Sequence, residues 1–369
     1  GGGAITSYTA LALEGSNLTT ASSSTSTVTI TGLTNGTDYS VTGKVTNDFG
    51  TSVQSAATSA SPQAPTRGVW GGGSATTNTI EYVTVETTGN GTDFGDLTAA
   101  RYNLAGCSSS TRGIFSGGYG TSPTYKEMID YITIASTGNA TDFGDFSDMS
   151  YRYNHCGTSN ATRGVFGGGR SAQSGSVYDT DDIHYITIAS TGNTTTFGDL
   201  SEAKENLTAV SNGTRCVFGG GTTDSIWTGS VNTLEYVTIA STGDVTDFGD
   251  LTNTRYLHTS CMSSTRGLFA GGFLTTTFTR TDSIDYMTIA STGNASDFGD
   301  LVSGENGASG CSSKIRGLFA GGFDGSGNIN NIQYVTIAST SNTSDFGDLT
   351  AAKIYMNNGV VSSNHGGLS

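Results

Sequence analysis

The sequence predicts an all-β protein in which six related units form a six-bladed β-propeller with four strands per blade. Each unit starts near a Thr-Arg-Gly triplet, continues to a Gly pair and a Tyr-containing strand, and closes on Asp-Phe-Gly-Asp. The closing Phe recurs about every 50 residues, a period typical of propeller blades. The composition of 54 Gly and only 3 Pro also favours short strands joined by tight turns. The closing residues are Phe94, Phe143, Phe197, Phe248, Phe298 and Phe346.

The second unit shows the four predicted strands most clearly. Residues 112–118 and 129–134 are rich in β-branched and aromatic side chains, which favour strands. The segment Ser136-Thr137-Gly138-Asn139 has the composition of a turn. A third strand is predicted over residues 141–146 and a fourth over 153–158, where the chain passes into the next unit.

The two ends of the repeat region predict how the propeller closes. The first unit begins at Thr66 without a preceding inner strand, whereas residues 357–363 form a strand with no later unit. Pairing the C-terminal strand with the first unit would remove both open edges. We therefore expect six blades, closed by the last strand, and seven only if further sequence follows residue 369.

The repeat resembles the kelch repeat over residues 66–369. An apolar strand ending in a Gly pair, a strand with Tyr, and an aromatic residue followed by Leu carry this resemblance. The sequence departs from the kelch pattern because Phe replaces the usual Trp and the Asp after the Tyr strand is missing. The resemblance implies a divergent, kelch-like propeller.

Residues 1–61 differ in character and are followed by a linker at 62–65 that contains two of the three prolines. The segments 5–8 and 33–41 resemble the later strands of a fibronectin type III domain, with Tyr39 placed like the tyrosine-corner residue. The early strands of that fold are absent from this segment. It is expected to be either a domain truncated at its N-terminus or a partial β-sandwich completed by a neighbour.

Charge and cysteine content restrict the partners and the compartment. A net charge of −15 and a pI near 4.4 argue against nucleic acid or an anionic membrane as a partner. No segment approaches the ~20 apolar residues of a membrane span. Five cysteines are predicted to be reduced, and Cys107, Cys156, Cys261 and Cys311 are interpreted as occupying one repeated inner-strand position. Reduced cysteines favour assembly in a cytoplasm.

Two charged positions recur in every unit. An anion or cation site is one interpretation, but repetition in all six units favours contacts that lock one blade to the next, through a carboxylate or a turn carbonyl. Calcium binding at the Asp-Phe-Gly-Asp segments is not expected, because calcium takes 6–8 oxygen ligands. The positions are Arg67, Arg112, Arg163, Arg215, Arg266 and Arg316, together with Asp96, Asp145, Asp199, Asp250, Asp300 and Asp348.

An enzyme is not predicted, and neither a metal nor another cofactor is expected. The histidines His155, His184, His258 and His365 are interpreted as lying in four different units without metal-ligand spacing. A copper-radical oxidase on a kelch-like scaffold would need a Tyr, Cys and His cluster that the sequence does not indicate. No nucleophile elbow or phosphate loop is present.

The variable connections predict a recognition surface. Strands of a blade alternate in direction, so the connection after the Gly pair shares one face with the connection after the Phe-Gly-Asp strand. The first of these connections varies in length and sequence, and aromatic residues on varied loops suit contact with sugar or protein. The candidates are Tyr102, Tyr119, Tyr125, Tyr153, Tyr178, Trp227, Tyr256, Phe273, Phe278, Phe323 and Tyr355.

The combination of a fibronectin-like segment and an acidic Ser-, Thr- and Gly-rich propeller resembles virion appendage proteins, tail fibre or decoration proteins, of marine tailed bacteriophages. The resemblance implies a structural protein that is assembled in the bacterial cytoplasm and displayed on the virion. Its expected partners are other virion proteins, a host-surface glycan or protein, and further copies of itself. The alternatives are a bacterial cell-surface or secreted polysaccharide-binding adhesin and, third, a kelch-like oxidase.

Overall fold

The computed structural model describes residues 3–62, 64–74, 77–120, 127–147, 151–173, 176–224, 228–356 and 359–363. The chain divides into two compact units, Gly1–Pro65 and Thr66–Ser369. Across the described ranges the regular secondary structure is all strand, so the all-β prediction is confirmed. In the same ranges no helix is long and apolar enough to cross a membrane.

The first compact unit, Gly1–Pro65, folds into one five-stranded antiparallel sheet. The long central strand Ile5–Glu14 lies between Asn17–Ser23 and Tyr39–Asn47, and the latter also pairs with Gly50–Thr51 and Thr58–Ala60. Tyr39 is buried, and its hydroxyl accepts a hydrogen bond from the Thr34 backbone N–H at 3.0 Å. This bond ties the tyrosine to the backbone a few residues upstream, as a tyrosine corner does.

The second compact unit, Thr66–Ser369, contains repeated four-stranded antiparallel sheets. Their strands are called A to D, where A pairs with B, B with C and C with D. Within the described residues there are six such sheets, and the A strand of sheet 1 comes from the C-terminal end of the chain. The strands, in the order A to D, are Val360–Ser362, Arg67–Gly71, Thr79–Thr84 and Thr92–Asp96 in sheet 1; Ala105–Ser108, Arg112–Ser116, Met128–Thr133 and Thr141–Asp145 in sheet 2; Cys156–Ser159, Arg163–Gly167, Asp182–Thr187 and Thr195–Asp199 in sheet 3; Thr208–Ser211, Arg215–Gly219, Thr233–Thr238 and Thr246–Asp250 in sheet 4; Thr259–Met262, Arg266–Ala270, Ser283–Thr288 and Ser296–Asp300 in sheet 5; and Ser309–Ser312, Arg316–Ala320, Asn331–Thr336 and Ser344–Asp348 in sheet 6.

The strand predicted over residues 153–158 is divided in two. Arg152–Tyr153 ends before Asn154, whose φ of 58° is left-handed, and Cys156–Ser159 then begins the next sheet. The first piece joins a small additional ladder, and similar ladders form in other repeats. The ladders pair Arg101–Tyr102 with Tyr119–Gly120, Arg152–Tyr153 with Arg170–Gln173 and the latter with Ser176–Asp179, and Phe273–Leu274 with Thr279–Arg280.

The core lies between successive sheets, where large B-strand side chains pack against small residues of the neighbouring sheet. Cys107, Cys261 and Cys311 share one A-strand register, opposite Ile114, Leu268 and Leu318. The interpretation that Cys156 shares it was wrong. Cys156 lies opposite Gly167, two residues earlier, and Thr158 occupies the register of the other three cysteines. All five cysteines are buried free thiols.

The six repeated arginines connect each sheet to the next. Each guanidinium donates to a backbone carbonyl of the following sheet at 2.8–3.4 Å and lies 4.3–4.7 Å from the ring centre of the C-strand tyrosine in its own sheet. The partner is a carbonyl and not a carboxylate. The arginine–carbonyl pairs are Arg67–Ile134, Arg112–Ile188, Arg163–Ile239, Arg215–Ile289, Arg266–Ile337 and Arg316–Val85.

The six repeated aspartates mark a second contact between sheets, made by their backbone N–H groups. Each N–H donates to a side-chain oxygen in the C–D turn of the next sheet at 3.1 Å. The repeated Asp-Phe-Gly-Asp segment of each sheet therefore binds the Ser-Thr-Gly-Asn-like turn of the next sheet. The pairs are Asp96–Asn139, Asp145–Asn193, Asp199–Asp244, Asp250–Asn294, Asp300–Asn342 and Asp348–Asn90.

The same contacts continue from sheet 6 to sheet 1. Val360–Ser362 pairs antiparallel with Arg67–Gly71. This is the predicted pairing of the last strand with the first of the six repeats. The Ser362 hydroxyl donates to the Ser312 carbonyl at 2.7 Å, and the Ser108 hydroxyl donates to the Ser362 carbonyl at 2.9 Å. The A strand of sheet 1 thus lies between those of sheets 6 and 2.

Candidate functional site

The candidate site is built on six residues with left-handed backbone conformation, which we call the left-handed ring. One lies shortly before each A strand, with φ between 54° and 71°. Asn and Gly adopt this region readily, whereas a bulky residue there costs about 1–3 kcal/mol. Leu257 and Tyr355 therefore carry local strain. The ring consists of Asn103, Asn154, Asn206, Leu257, Gly307 and Tyr355.

Backbone hydrogen bonds join the members of the left-handed ring to one another. Each donor N–H lies in one repeat and its acceptor carbonyl in the repeat before it, at 2.8–3.1 Å. The sharp turn at each ring residue directs these groups toward the adjacent repeat. The donor–acceptor pairs are Asn103–Tyr355, Asn154–Asn103, Asn206–Asn154, Leu257–Asn206 and Gly307–Leu257.

The Gly pairs hold the segments that carry the ring. Gly118 N–H donates to the Arg152 carbonyl at 2.7 Å, two residues before Asn154. A Cβ on the neighbouring Gly117 would stand 2.2 Å from that carbonyl oxygen, so a side chain there is excluded. The same bond recurs in all six repeats at 2.7–3.2 Å.

Buried ion pairs hold the chain segments that carry the left-handed ring. The guanidinium of Arg101 lies 2.8 Å from Asp130, that of Arg255 lies 3.1 Å from Asp285, and Lys204 contacts Glu235. Lys353 contacts Glu81 in the same way. The acidic residue and the apolar residue before it on strand C are both buried, because each sheet is covered by a neighbouring sheet on both faces. Each cation stands two residues before a ring residue.

Two repeats depart from this ion pair. In sheet 3 the acidic partner is replaced by His184, whose Nδ1 lies 2.8 Å from Arg152 Nη1. In sheet 6 the cation is replaced by Glu305, whose two carboxylate oxygens each lie 3.2 Å from Gln333 Nε2. Burial raises the pKa of Glu305 to about 8, although the Gln333 hydrogen bonds oppose this shift. Glu305 is therefore mostly protonated at neutral pH.

Four of the predicted tyrosines come together beside the left-handed ring. The ring centres of Tyr102 and Tyr119 are 5.2 Å apart, those of Tyr102 and Tyr355 6.1 Å, and those of Tyr119 and Tyr153 5.7 Å. They line a cavity of about 320 Å³, which we call the tyrosine pocket. Both predicted loop sets contribute to it, because the ladder at Tyr102 and Tyr119 places them opposite each other. Its lining consists of Tyr102, Asn103, Tyr119, Tyr153, Asn154, Arg170, Asn206, Leu257 and Tyr355.

The polar lining of the tyrosine pocket has unused acceptors. Asn103, Asn154 and Asn206 are buried, and within the described part of the chain their Oδ1 atoms have no hydrogen-bond partner. Arg170 Nε lies 3.2 Å from Asp179 Oδ1, so the charge of the only ionic lining residue is balanced. Burial raises the pKa of Asp179, and Arg170 opposes that shift. These amide oxygens have less than 1 Å² of accessible area each, so the described lining that the pocket presents is mainly aromatic with little net charge.

A second aromatic group contains three of the other predicted residues. Tyr256 and Phe273 are paired across an isolated bridge, with ring centres 5.6 Å apart. The Arg280 guanidinium lies 5.8 Å from the Phe273 ring centre and 4.4 Å from that of Phe323. Arg280 Nε also donates to Asn306 Oδ1 at 2.7 Å.

The remaining candidates are not gathered into either group. Tyr178 is 40% exposed on a small ladder, and Phe278 is 71% exposed at a left-handed turn. Tyr125 and Trp227 lie outside the described residues. Tyr355 was predicted on the same face as Tyr102, and its place in the left-handed ring makes it the equivalent of Asn103 and not of Tyr102. The unusual spacing before the last strand concealed this shift.

The sequence suggested that the four histidines lie in four different repeats, and for His155 and His184 this interpretation was wrong. His155 and His184 belong to the same repeat, and both rings contact Phe146, at centre-to-centre distances of 5.6 and 5.8 Å. His155 Nε2 lies 2.9 Å from the Ser116 hydroxyl. His258 is buried in another repeat, where burial and Arg255 lower its pKa to about 3. His365 lies outside the described residues.

One group of carboxylates has the proximity of metal ligands. Within the described residues, one oxygen of each of Asp181, Asp182 and Asp199 lies within 4.8 Å of the others. Burial and the neighbouring carboxylates raise the pKa of Asp199. Three carboxylates supply fewer oxygens than calcium takes unless several bind in bidentate fashion. Of the repeated aspartates, only Asp199 belongs to this group.

Sequence reasoning missed the asparagines and the buried cations of the site. Tyr102-Asn103 and Tyr153-Asn154 do contain a signal, since Asn just before a strand favours a left-handed turn. The pairing of these cations with the acidic residues of strand C was not predicted. Arg101 and Lys204 lie 29 and 31 residues before their acidic partners, so sequence spacing alone does not pair them.

Comparisons with known proteins agree on the fold and reach no further. No protein-family model matches the chain, and no similar curated protein was found. A solved structure, "Structure of YjhT", superposes with a TM-score of 0.58 at 11% sequence identity, covering 69% of this chain and 86% of the other. The chain therefore has an all-β, propeller-like fold similar to that of YjhT, and the likeness extends to the fold alone.

Proposed function

We propose that the second unit is a closed six-bladed β-propeller of kelch-like type. The arginine–carbonyl and aspartate–turn contacts run from each sheet to the next and from sheet 6 back to sheet 1. The hydrogen bonds of the left-handed ring follow the same order. Closure would leave no exposed inner edge. We also propose that the first unit is part of a fibronectin type III-like sandwich, which the hydrogen bond from Thr34 to Tyr39 supports.

We propose further that the protein is a non-enzymatic virion appendage whose propeller recognises a host-surface glycan or protein. The observation that carries the recognition role is the convergence of Tyr102, Tyr119, Tyr153 and Tyr355 on one cavity. Aromatic rings supply contact area with little loss of conformational freedom, and sugars and proteins both bind to such surfaces. The ion pairs beneath the ring hold the surface rigid, which lowers the cost of binding.

The virion role is tested by mass spectrometry of purified native particles. A constant copy number per particle supports display on the virion. Recovery from cell envelopes or secreted fibres, and not from particles, would replace it with an adhesin that binds polysaccharide through the same surface.

The recognition role is tested with purified full-length protein on cells of the source host. Tyr119→Ala combined with Tyr153→Ala should reduce cell binding at least about tenfold, because both rings are lost from the pocket. Phe278→Ala is the matched control, since Phe278 is aromatic and 71% exposed but lies outside the pocket. Equal binding by all variants would refute recognition through this surface.

A further inference from the structure

We infer that Arg280 and the aromatic rings beside it bind the carboxylate and the ring of an acidic sugar residue. This inference rests on the proposed recognition function and specifies its ligand. Its starting point is the second aromatic group, in which protein contacts hold the Arg280 guanidinium and leave two of its nitrogens without a partner.

The guanidinium of Arg280 has donors that the protein does not use. Its Nε donates to Asn306 Oδ1 at 2.7 Å. Within the part of the chain that the structure describes, Nη1 and Nη2 make no hydrogen bond, and no carboxylate forms an ion pair with them. Neither nitrogen is among the buried polar atoms that lack a partner, so both are accessible to solvent. Two such donors in one plane match the two oxygens of a carboxylate.

The ladder that carries Arg280 differs from the equivalent ladder of another repeat. Arg170 and Phe273 each follow directly after a Gly pair, which makes their two ladders equivalent. In the first ladder Arg170 lies opposite Asp179, so its charge is balanced. In the second ladder Arg280 lies opposite Phe273. Arg280 therefore faces an aromatic ring where the other arginine faces a carboxylate, and its charge is left for a ligand.

The neighbouring rings restrict the orientation of the guanidinium. The central carbon of Arg280 lies over the Phe323 ring, 4.4 Å from its centre, and over the Phe273 ring, 5.8 Å from its centre. A cation over an aromatic face is attracted by the ring quadrupole. Together with the bond to Asn306, these contacts hold the side chain in place before a ligand arrives, which lowers the entropy cost of binding.

The aromatic rings favour a sugar carboxylate over a small inorganic anion. Phe273 and Phe323 are only partly buried, and Tyr256 packs against Phe273 with ring centres 5.6 Å apart. Such rings offer apolar surface against which the C–H face of a pyranose packs well. A uronic acid presents this face and a carboxylate in one residue, whereas an inorganic anion would use the charge alone.

The local charge suits a ligand with a single negative charge. The N–H groups of Ser326 and Gly327 and, to a smaller extent, Arg280 lower the pKa of Asp324. Asp324 is therefore ionised at neutral pH and partly offsets the Arg280 charge without forming an ion pair with it. The net charge of −15 opposes a dianion more strongly than a monoanion. These charges favour a carboxylate over a phosphate monoester.

The test is isothermal titration of the full-length protein with methyl β-glucuronide and methyl α-galacturonide, each compared with its neutral counterpart, methyl β-glucoside or methyl α-galactoside. We expect at least one uronide to bind about tenfold more tightly than its counterpart, because charge-assisted hydrogen bonds are strong. Arg280→Gln should remove this preference, since the amide carries no charge. Arg280→Lys should keep part of it, because an ammonium lacks the planar pair of donors.

Asp324→Asn should strengthen uronide binding about two- to fivefold, because it removes a nearby negative charge and keeps the acceptor of the Ser326 and Gly327 N–H groups. Lys314→Gln is the matched control, since it removes one positive charge from an exposed residue in the turn between strands A and B of sheet 6. It should change the affinity by less than about twofold. Melting temperatures of all variants report folding, and if Arg280→Gln unfolds, Arg280→Lys and Asp324→Asn decide.

Several results would overturn the inference. They are absence of uronide binding, equal affinity for the uronides and the neutral glycosides, and a uronide preference that survives Arg280→Gln. Tighter binding of an N-acetylated aspartyl peptide than of either uronide would assign Arg280 to a protein carboxylate and would also overturn it. Cell binding that depends on Tyr119 and Tyr153 but not on Arg280 would leave the recognition function standing while this inference fails.

Discussion

The sulfur atom of Cys107 occupies the space that a side chain at position 164 of the next sheet would need. A Cβ built on Gly164 would lie 2.4 Å from Cys107 Sγ. Gly317 and Gly68 stand in the same relation to Cys261 and Cys311. At three of the six contacts between successive sheets a cysteine sulfur therefore packs over a glycine of the following sheet, and at Gly113 and Gly267 a valine takes the place of the cysteine.

The first prediction is that Gly164→Ala destabilises the protein and that Cys107→Ala compensates. The added methyl group should lower the free energy of unfolding by about 1–3 kcal/mol through overpacking. In the double variant the smaller side chain at 107 makes room, so the coupling energy should exceed about 0.5 kcal/mol. Denaturant unfolding of the four proteins measures the cycle. Additive effects would show that the two residues do not compete for space.

The second prediction concerns His258, a buried imidazole that contacts the Gly219 backbone but makes no hydrogen bond of good geometry among the described residues. Leu104 and Leu207 occupy the equivalent position in two other repeats. His258→Leu should raise the free energy of unfolding by about 1–3 kcal/mol, because it removes a buried polar group that is poorly satisfied. His155→Leu is the control, since His155 bonds to Ser116 and its loss should bring no comparable gain.

The pH dependence of the same variant gives an independent measurement. The pKa of His258 in the folded state, about 3, is below its ordinary value of 6.5. Its contribution to stability is thus present above pH 6.5 and is lost as the pH falls toward 3. His258→Leu should flatten the acid limb of the stability curve. An unchanged acid limb would argue that this imidazole is solvated.

The third prediction is that Glu305→Gln stabilises the protein at alkaline pH. The pKa of Glu305, raised to about 8, exceeds its ordinary value of 4.5, so its contribution to stability is lost as the pH rises through about 8. Gln keeps the shape and the contact with Gln333 without a titratable proton. Unfolding should give equal stabilities near about pH 5 and a more stable variant near about pH 9. Parallel curves over this range would contradict the prediction.

The fourth prediction is that Val361→Asp opens the contact between the first and last strands. Val361 is 2% exposed and pairs with Val69, so a carboxylate there would be buried without a partner. We expect a loss of more than about 3 kcal/mol in the free energy of unfolding. The exposed edges should also promote self-association, which gel filtration detects. Val302→Asp, at a site 69% exposed, is the control and should keep the elution volume and the stability of the unaltered protein if closure matters.

Much of the site could not be derived from the sequence, because it depends on contacts between repeats. Tyr102 and Tyr119 were predicted on one face, but their contact depends on a two-residue ladder that no period in the sequence reveals. Arg101 and Asp130 are 29 residues apart in the sequence, and only the folded structure brings them to 2.8 Å from each other. Asn103 and Asn154 are ordinary turn residues in one repeat and become part of a ring only when repeats stand side by side.

The sequence by itself determined the all-β class, the repeat and the pairing of the last strand with the first of the six repeats. Periodic glycines, β-branched residues and turn residues act locally, so the order of residues is enough to recognise them. Only the tertiary structure decided which repeated polar residues are scaffold and which face the pocket. Arg67 belongs to a series of six arginines and donates to a neighbouring carbonyl, whereas the series of Asn103 contains three asparagines among its six members and the Oδ1 of Asn103 has no partner among the described residues. That difference arises from the positions of groups in adjacent repeats, which sequence spacing does not specify.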